Sequence, residues 1–175
     1  MPVFFDTETQ NTFQEVGGRR PELLKISVAV TYDTTDGAFH TYTEADCPQL
    51  VDDLGKADLV VGYNLFGFDY PVLQQYSDSV RLADLPSVDM MVEVQKRLGF
   101  RLKLDSIATA TLQVGKSADG LQAVRWWREG RIDEIIDYCK QDVEVTRKVY
   151  EFGKQRRYIQ YYDRQYRLKK VPVAW

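Results

Sequence analysis

Three apolar residues near the start of the chain run directly into two carboxylates. Val3, Phe4 and Phe5 have the character of a short buried strand, and Asp6-Thr7-Glu8 follows them. Side chains two residues apart on a strand point to the same face, so Asp6 and Glu8 are expected side by side. A buried pair of this kind repels itself unless a cation lies between the carboxylates. Taken alone, the pair favours a simpler interpretation, in which the strand has ended and both acids are solvated.

The remaining pattern predicts an α/β fold. Two β-branched runs at 24–32 and 37–43 predict a hairpin, and an apolar run at 58–63 predicts a fourth, buried strand. Helical patterns occupy 48–56, the stretch after Asn64, 90–98, 104–112, a stretch that begins at Ser117 or Asp119 and stops at Gly130, and 132–152. This order predicts a mixed central sheet flanked by helices, with strands 1 to 3 antiparallel and strand 4 parallel to strand 1.

Three segments lie outside this regular pattern. Residues 9–20 are predicted to form a loop and residues 77–88 are predicted to be mostly linker. From Arg157 onward the sequence favours a terminal β-hairpin, with a helix to about residue 165 as the alternative.

Length and composition limit the class of protein. The chain of 175 residues suits one domain, which we expect at 1–155, with 156–175 as a basic, aromatic extension packed on it. No apolar run approaches the roughly 20 residues that span a bilayer, and the start lacks the basic region of a signal peptide. Two distant cysteines and one histidine fit neither a disulfide scaffold nor a Cys/His zinc site. We therefore expect a cytoplasmic protein without a membrane partner.

Charge is distributed unevenly along the chain. Residues 1–80 contain 4 Lys and Arg against 13 Asp and Glu, whereas residues 81–175 contain 19 against 13. Seven cations between 154 and 170 alternate with four tyrosines, which suits binding of a single nucleic-acid strand through phosphates and stacked bases. A hairpin that covers a sheet edge, with its cations outside, explains the same pattern equally well.

Further acids follow other predicted elements. Asp69 comes soon after strand 4, and a right-handed crossover can place it next to strand 1, although a charge in a first helical turn is the simpler explanation. Tyr138 and Asp142 are four residues apart and share one helix face. In isolation they suit a half-buried tyrosine and a surface acid. Together, four acids from three segments match the oxygen ligands of two-metal phosphoryl chemistry with Mg²⁺ or Mn²⁺.

Three motifs in a fixed order resemble a known family. The sequences F-D-T-E, N-x-x-x-F-D and Y-x-x-x-D, which span Asp6 to Asp142, resemble the exonuclease motifs of the DnaQ-like 3′–5′ exonucleases in the ribonuclease H-like superfamily. The Y-x-x-x-D form is similar to the tyrosine subtype (DEDDy), found in proofreading domains of family A and B DNA polymerases. The resemblance implies a ribonuclease H-like fold. The only histidine, His40, falls on the third strand, which disfavours the histidine subtype.

The resemblance also implies a role for each motif residue. Asp6, Glu8 and Asp142 would hold one divalent cation, and Asp6 would bridge to a second. Asp69 would reach the second cation largely through water. Tyr138 would orient the water that attacks the 3′-terminal phosphodiester.

Five other residues are weaker candidates. Asn64 and Phe68 are candidates for substrate binding, with a helix cap and a core position as their simpler explanations. Lys116 and Arg125 precede the third motif and are candidates for contacts with backbone phosphates. Asp89 falls where many relatives carry another acid, while a cap for the helix at 90–98 is the competing interpretation.

The resemblance implies a metal-dependent 3′–5′ exonuclease that acts on the 3′ ends of single-stranded DNA or RNA and releases nucleoside 5′-monophosphates, and the acidic and basic patterns agree with it. Two alternatives stay open. One is an endonuclease of the same superfamily, and the other is a nucleic-acid-binding or helicase/nuclease accessory module with weak or no catalysis. The sequence identifies neither a helicase or polymerase partner nor an oligomeric state.

Overall fold

A five-stranded mixed sheet forms the centre of the molecule, in the spatial order β3-β2-β1-β4-β5. The computed structural model describes residues 1–114 and 120–175. The strands of this sheet are β1 (Pro2–Thr9), β2 (Ile26–Asp33), β3 (Ala38–Thr43), β4 (Leu59–Gly62) and β5 (Ser87–Asp89). The helices are α1 (Cys47–Lys56), α2 (Tyr70–Gln74), α3 (Met90–Leu98), α4 (Leu104–Leu112), α5 (Gly120–Arg128) and α6 (Ile132–Arg156), and a separate hairpin consists of β6 (Tyr158–Tyr162) and β7 (Leu168–Pro172).

The pairing of the strands confirms the predicted α/β architecture with a mixed central sheet. β1 pairs antiparallel with β2 and β2 with β3, whereas β4 is parallel to β1. The predicted terminal hairpin is also present as β6 and β7. The carboxyl ends of β1, β4 and β5 therefore share one end of the sheet, which is where polar side chains from different segments can meet.

Three local details differ from the simplest expectations. Residues 77–88 are mostly linker, as predicted, but β5 begins at Ser87 and pairs parallel with β4, and a three-residue strand is too short to show periodicity. β1 does not end before the acids but continues to Thr9. After Asn64 the chain forms a π-helical turn, Leu65–Asp69, before the short α2, because Asn64 takes a left-handed backbone conformation (φ 76°).

Alternate side chains of the central strands supply two cores, one on each face of the sheet. Phe4 and Val28 pack with Cys139 and Val143 of α6 on one face, and Phe5 packs among side chains of α1 and α2 on the other. This alternation is what a sheet covered by helices on both faces requires. No helix in residues 1–114 or 120–175 is long and apolar enough to cross a membrane.

The C-terminal hairpin packs against helices and does not pair with the main sheet. Ile159 and Val171 are buried in the core beneath α6. The Gln160 backbone N–H donates to the Thr111 hydroxyl (2.9 Å), which donates in turn to the Gln160 carbonyl (3.1 Å). Contacts with α3, α4 and α6 fix the hairpin, so the interpretation that it covers an edge of the central sheet is wrong.

Candidate active site

Asp6 and Glu8 project from the part of β1 that extends past β4. The parallel pairing of β1 with β4 reaches only from Pro2 to Phe4, so the rest of β1 has no strand on that side. Asp6 and Glu8, two residues apart, both line one cleft at this end of the sheet, together with Asp142 of α6. The same-face placement expected from the sequence is therefore what the fold produces.

α6 brings the third motif to the two acids of β1. Cys139, fully buried, lies with its Sγ 3.5 Å from the Asp6 carbonyl oxygen and 3.6 Å from Asp6 Oδ2, which fixes the helix against the strand. One carboxylate oxygen each from Asp6, Glu8 and Asp142 then lies within 4.8 Å of the others. Tyr138, one turn before Asp142 on the helix, makes a side-chain hydrogen bond with it.

Asp69 reaches the site from the π-helical turn. Its Oδ1 accepts hydrogen bonds from the Thr7 backbone N–H (3.1 Å) and the Thr7 hydroxyl (2.8 Å). The carboxylate thus accepts a backbone N–H of β1 that has no partner strand, because the pairing with β4 ends at Phe4. Burial raises the pKa of Asp69 to about 7, although the two bonds from Thr7 act in the opposite direction.

The electrostatics of the cluster favour a cation. Burial, and then the charges of Asp69, Glu8 and Asp142, raise the pKa of Asp6 well above its ordinary value. Burial and the charges of Asp142 and Asp69 do the same to the pKa of Glu8. Carboxylates this close cannot all be ionised without a compensating charge, and carboxylate oxygens are the ligands that Mg²⁺ and Mn²⁺ prefer. The donor set therefore fits divalent cations.

Two residues shape the turn that carries Asp69. Asn64 occupies the cap position without making a cap hydrogen bond, and a Cβ on Gly67 would lie 2.4 Å from its Oδ1, so a larger residue at position 67 would displace the Asn64 side chain. Asp89 is buried at the end of β5, where it accepts the backbone N–H groups of Asn64 (2.9 Å) and Phe66 (3.1 Å). It also caps α3 through the N–H groups of Met91 and Val92. One carboxylate thus caps a helix and holds the turn.

An open cleft of about 620 Å³ lies over the acids. Its lining includes Phe68, which packs edge-on against Phe13 of the loop at 9–20, with ring centroids 5.9 Å apart. Leu121 and Val124 of α5 also line the cleft. An ion pair between Glu15 Oε1 of the loop and Arg128 Nη2 of α5, at 2.8 Å, joins the loop to the helix.

The weaker candidates have different outcomes. Phe68 lines the cleft, whereas Arg125 is exposed on α5 and is not part of the lining. Lys116 lies outside the described residues.

Sequence reasoning missed four contributors: Thr7, Cys139, Phe13 and Lys103, which also lines the cleft. Only Lys103 had a visible signal, because residues 94–104 contain four cations and no acid.

Comparisons with known proteins agree with this geometry. Residues 3–152 match the model of the RNase_H_2 family, of the RNase_H superfamily. No curated protein matches the sequence. Among solved structures, the chain is similar to a family B DNA polymerase from the hyperthermophilic archaeon Pyrobaculum calidifontis, with a TM-score of 0.65 and 19% sequence identity. The match covers 87% of this chain but 24% of the polymerase, so it is a likeness in fold to a part of that protein.

Proposed function

Because this chain belongs to the ribonuclease H superfamily, we propose that it is a metal-dependent 3′–5′ exonuclease of the tyrosine subtype, acting on single-stranded DNA or RNA. The observation that carries the proposal is the meeting of Asp6, Glu8 and Asp142 within 4.8 Å, beside a tyrosine that is hydrogen-bonded to one of them. A structural role alone gives no reason to gather these charges at the floor of a cleft.

The carboxylates divide into two sets of ligands in this proposal. Asp6, Glu8 and Asp142 would hold one Mg²⁺ or Mn²⁺ ion, and Asp6 together with Asp69 would hold a second. When bound, the ions supply a lowered pKa for the attacking water and compensate the charge on the leaving oxygen. The two hydrogen bonds from Thr7 orient Asp69 for this task without taking up its second carboxylate oxygen.

Tyr138 is suited to orient the reacting groups as a neutral hydrogen-bond donor. Burial, and then the charges of Glu8, Asp142 and Asp6, raise the pKa of its phenol above the ordinary value. The hydroxyl therefore keeps its proton at neutral pH and adds no further negative charge to the cluster. Its bond with Asp142 holds the ring in place, and rotation of the hydroxyl can redirect its single proton from Asp142 to a water or phosphate oxygen at the site.

The aromatic rings beside the carboxylates support binding of a strand end. The loop that carries Phe13 is joined to α5 by the ion pair between Glu15 and Arg128. Phe68 and Phe13 present apolar ring surface beside the acids, which suits stacking of a base at a strand end.

A gel assay of a 5′-labelled single strand, made as DNA and as RNA, tests the proposal. We expect a ladder that shortens from the 3′ end with Mg²⁺ or Mn²⁺ and disappears with EDTA. Asp142→Asn should abolish the ladder. Asp137→Asn, which changes an exposed acid of the same helix, is the matched control and should cleave normally.

Two results would contradict the proposal in different ways. Internal cuts in a circular strand, or in one with a blocked 3′ end, would indicate the endonuclease of the same superfamily. Binding in a gel shift without cleavage by either metal would indicate the nucleic-acid-binding or accessory module.

A further inference from the structure

The segment from the end of α3 to the start of α4 carries four cations and one exposed aromatic ring. It consists of Lys96, Arg97, Phe100, Arg101 and Lys103, in a stretch (94–104) that contains no acid, although Lys96 is paired with the preceding Glu93 at 2.7 Å. Phe100 is 48% exposed although it is a large apolar side chain. We call these five residues the cationic strip.

One end of the cationic strip lies at the cleft. Lys103 is part of the cleft lining, in company with Asp69 and Tyr63. The Tyr63 hydroxyl donates to the Leu102 carbonyl (2.7 Å), which attaches the strip to the end of β4. Gly99, with a φ of 79°, ends α3 and lets the chain turn back toward the cleft.

The middle of the cationic strip lies at the C-terminal hairpin. The ring of Phe100 packs edge-on against Tyr161 of β6, with centroids 6.2 Å apart. Beside it on the hairpin, Tyr162 and Leu168 are about half exposed, and Lys169 is paired with Tyr161 across the strands. Three residue steps join Lys103 to Phe100, a span of at most about 11 Å, so cleft, strip and hairpin form one continuous surface.

We propose that the cationic strip and the adjoining hairpin bind the single strand upstream of the 3′ end that occupies the cleft. Cations pair with phosphates, and exposed rings stack on bases, without selecting a sequence. A negatively charged polymer is the occupant that matches a stretch with four cations and no acid. This inference rests on the proposed function, because the direction of the strand follows from a 3′ end at the carboxylates.

Fluorescence anisotropy of labelled oligothymidylate and oligouridylate measures binding to the protein. In EDTA no metal-dependent cleavage occurs, so the measurement tests this inference separately from catalysis. A strand of about 16 nucleotides should bind much more tightly than one of about 4, because only the longer strand reaches the hairpin. Phe100→Ala should weaken binding of the long strand about tenfold, the usual order for loss of one stacked base, and leave the short one unchanged. Arg97→Gln combined with Arg101→Gln should reduce the slope of log K against log salt by about 1.4.

Matched controls use an exposed ring and an exposed cation away from the strip. Phe39→Ala on β3 and Arg81→Gln before β5 should leave both affinities unchanged. Equal effects of strip and control variants, or equal affinity for long and short strands, would overturn the inference while metal-dependent cleavage still supported the proposed function. Strip-dependent binding by a protein that never cleaves would retain the binding surface and reject the exonuclease.

Discussion

Acidic side chains gather at both ends of β1, and the two groups differ in what surrounds them. At the carboxyl end, Asp6 and Glu8 make no ion pair with any lysine or arginine of the described residues, and burial raises the pKa of both. At the other end, a cavity of about 310 Å³ beside Val3 is lined by four aspartates, Asp33, Asp36, Asp53 and Asp58.

The acids at the second end have ordinary partners. Asp36 accepts from the Ala38 backbone N–H and contacts His40, and the pKa of its carboxyl is lowered. Asp53 accepts from the Tyr42 hydroxyl (3.1 Å) and lies 3.4 Å from Lys56. A count of acids therefore does not distinguish the two ends. What distinguishes them is the burial of Asp6 and Glu8 without an ion pair to a lysine or arginine of residues 1–114 or 120–175, and this is why the carboxyl end of β1 is the one proposed as a catalytic site.

Removal of one charge at each end gives the largest expected contrast. Asp6→Asn should lower the rate of cleavage by about 10³-fold or more, because a ligand shared by both cations is lost. Asp36→Asn should change the rate by less than about twofold, as exposed substitutions away from a site usually do. Single-turnover assays of both variants measure the contrast. A comparable loss in both would show that the acids act through overall charge.

The two tyrosines that bond to aspartates offer a second contrast. Tyr138→Phe should reduce the rate about 10²-fold, the lower end of what a positioned proton donor contributes, and leave the affinity for the metal unchanged. Tyr42→Phe removes the hydroxyl that binds Asp53 at the other end and should leave the rate unchanged. Rates at saturating Mg²⁺ and a Mg²⁺ titration separate the two effects. A fall in metal affinity for Tyr138→Phe would show that the tyrosine mainly positions Asp142.

Divalent cations should stabilise the folded protein by binding at the carboxyl end of β1 and not at its other end. A metal at 100 times its dissociation constant adds about 2.7 kcal/mol to the free energy of unfolding. We expect this gain in the wild-type protein and in Asp36→Asn, and its loss in Asp6→Asn. Urea unfolding with MgCl₂ and with EDTA measures it. An unchanged gain in Asp6→Asn would mean that the metal binds elsewhere.

The pH dependence of stability should have opposite signs at the two ends of β1. In EDTA the folded state binds protons on Asp69 more tightly than the unfolded state, because the folded pKa is about 7 and the ordinary value is 3.8. The free energy of unfolding should therefore rise as the pH falls from about 8 to 5, by up to about 1.4 kcal/mol per pH unit for each such carboxyl.

Asp36 has the opposite shift and loses its contribution only at lower pH, as the pH falls through its lowered pKa. Urea titrations across the range, with and without Mg²⁺, test the sign. Stability that falls on acidification in EDTA would contradict the account of the buried acids.

The sequence predicts the fold and the meeting of the motif residues because each carries a local signal. Alternation gave the strands of the hairpin at 24–43, and helical spacing placed Tyr138 and Asp142 on one face of α6. The bonds from Thr7 to Asp69 join residues 62 apart, and no local pattern encodes them.

The contacts of the loop at 9–20 could not be predicted, for a similar reason. The contact of Phe13 with Phe68 and the ion pair of Glu15 with Arg128 connect an irregular loop to two other segments. Loops have no period, so their side chains can be assigned a place only when the surrounding elements are known. Only one of the two roles of Asp89 could be predicted from the sequence. Its cap of α3 is a local contact, whereas its hydrogen bonds to the turn at Asn64 join residues far apart in the chain.

Titration of Mn²⁺ by electron paramagnetic resonance tests the central claim most directly, because the signal of free Mn²⁺ counts bound ions without any substrate. Wild-type protein and Asp36→Asn should each bind two ions per chain, and Asp6→Asn should lose both, since Asp6 is the shared ligand in our proposal. Equal binding by Asp6→Asn and the wild type, or loss of binding in Asp36→Asn alone, would contradict the assignment of the site to the carboxyl end of β1.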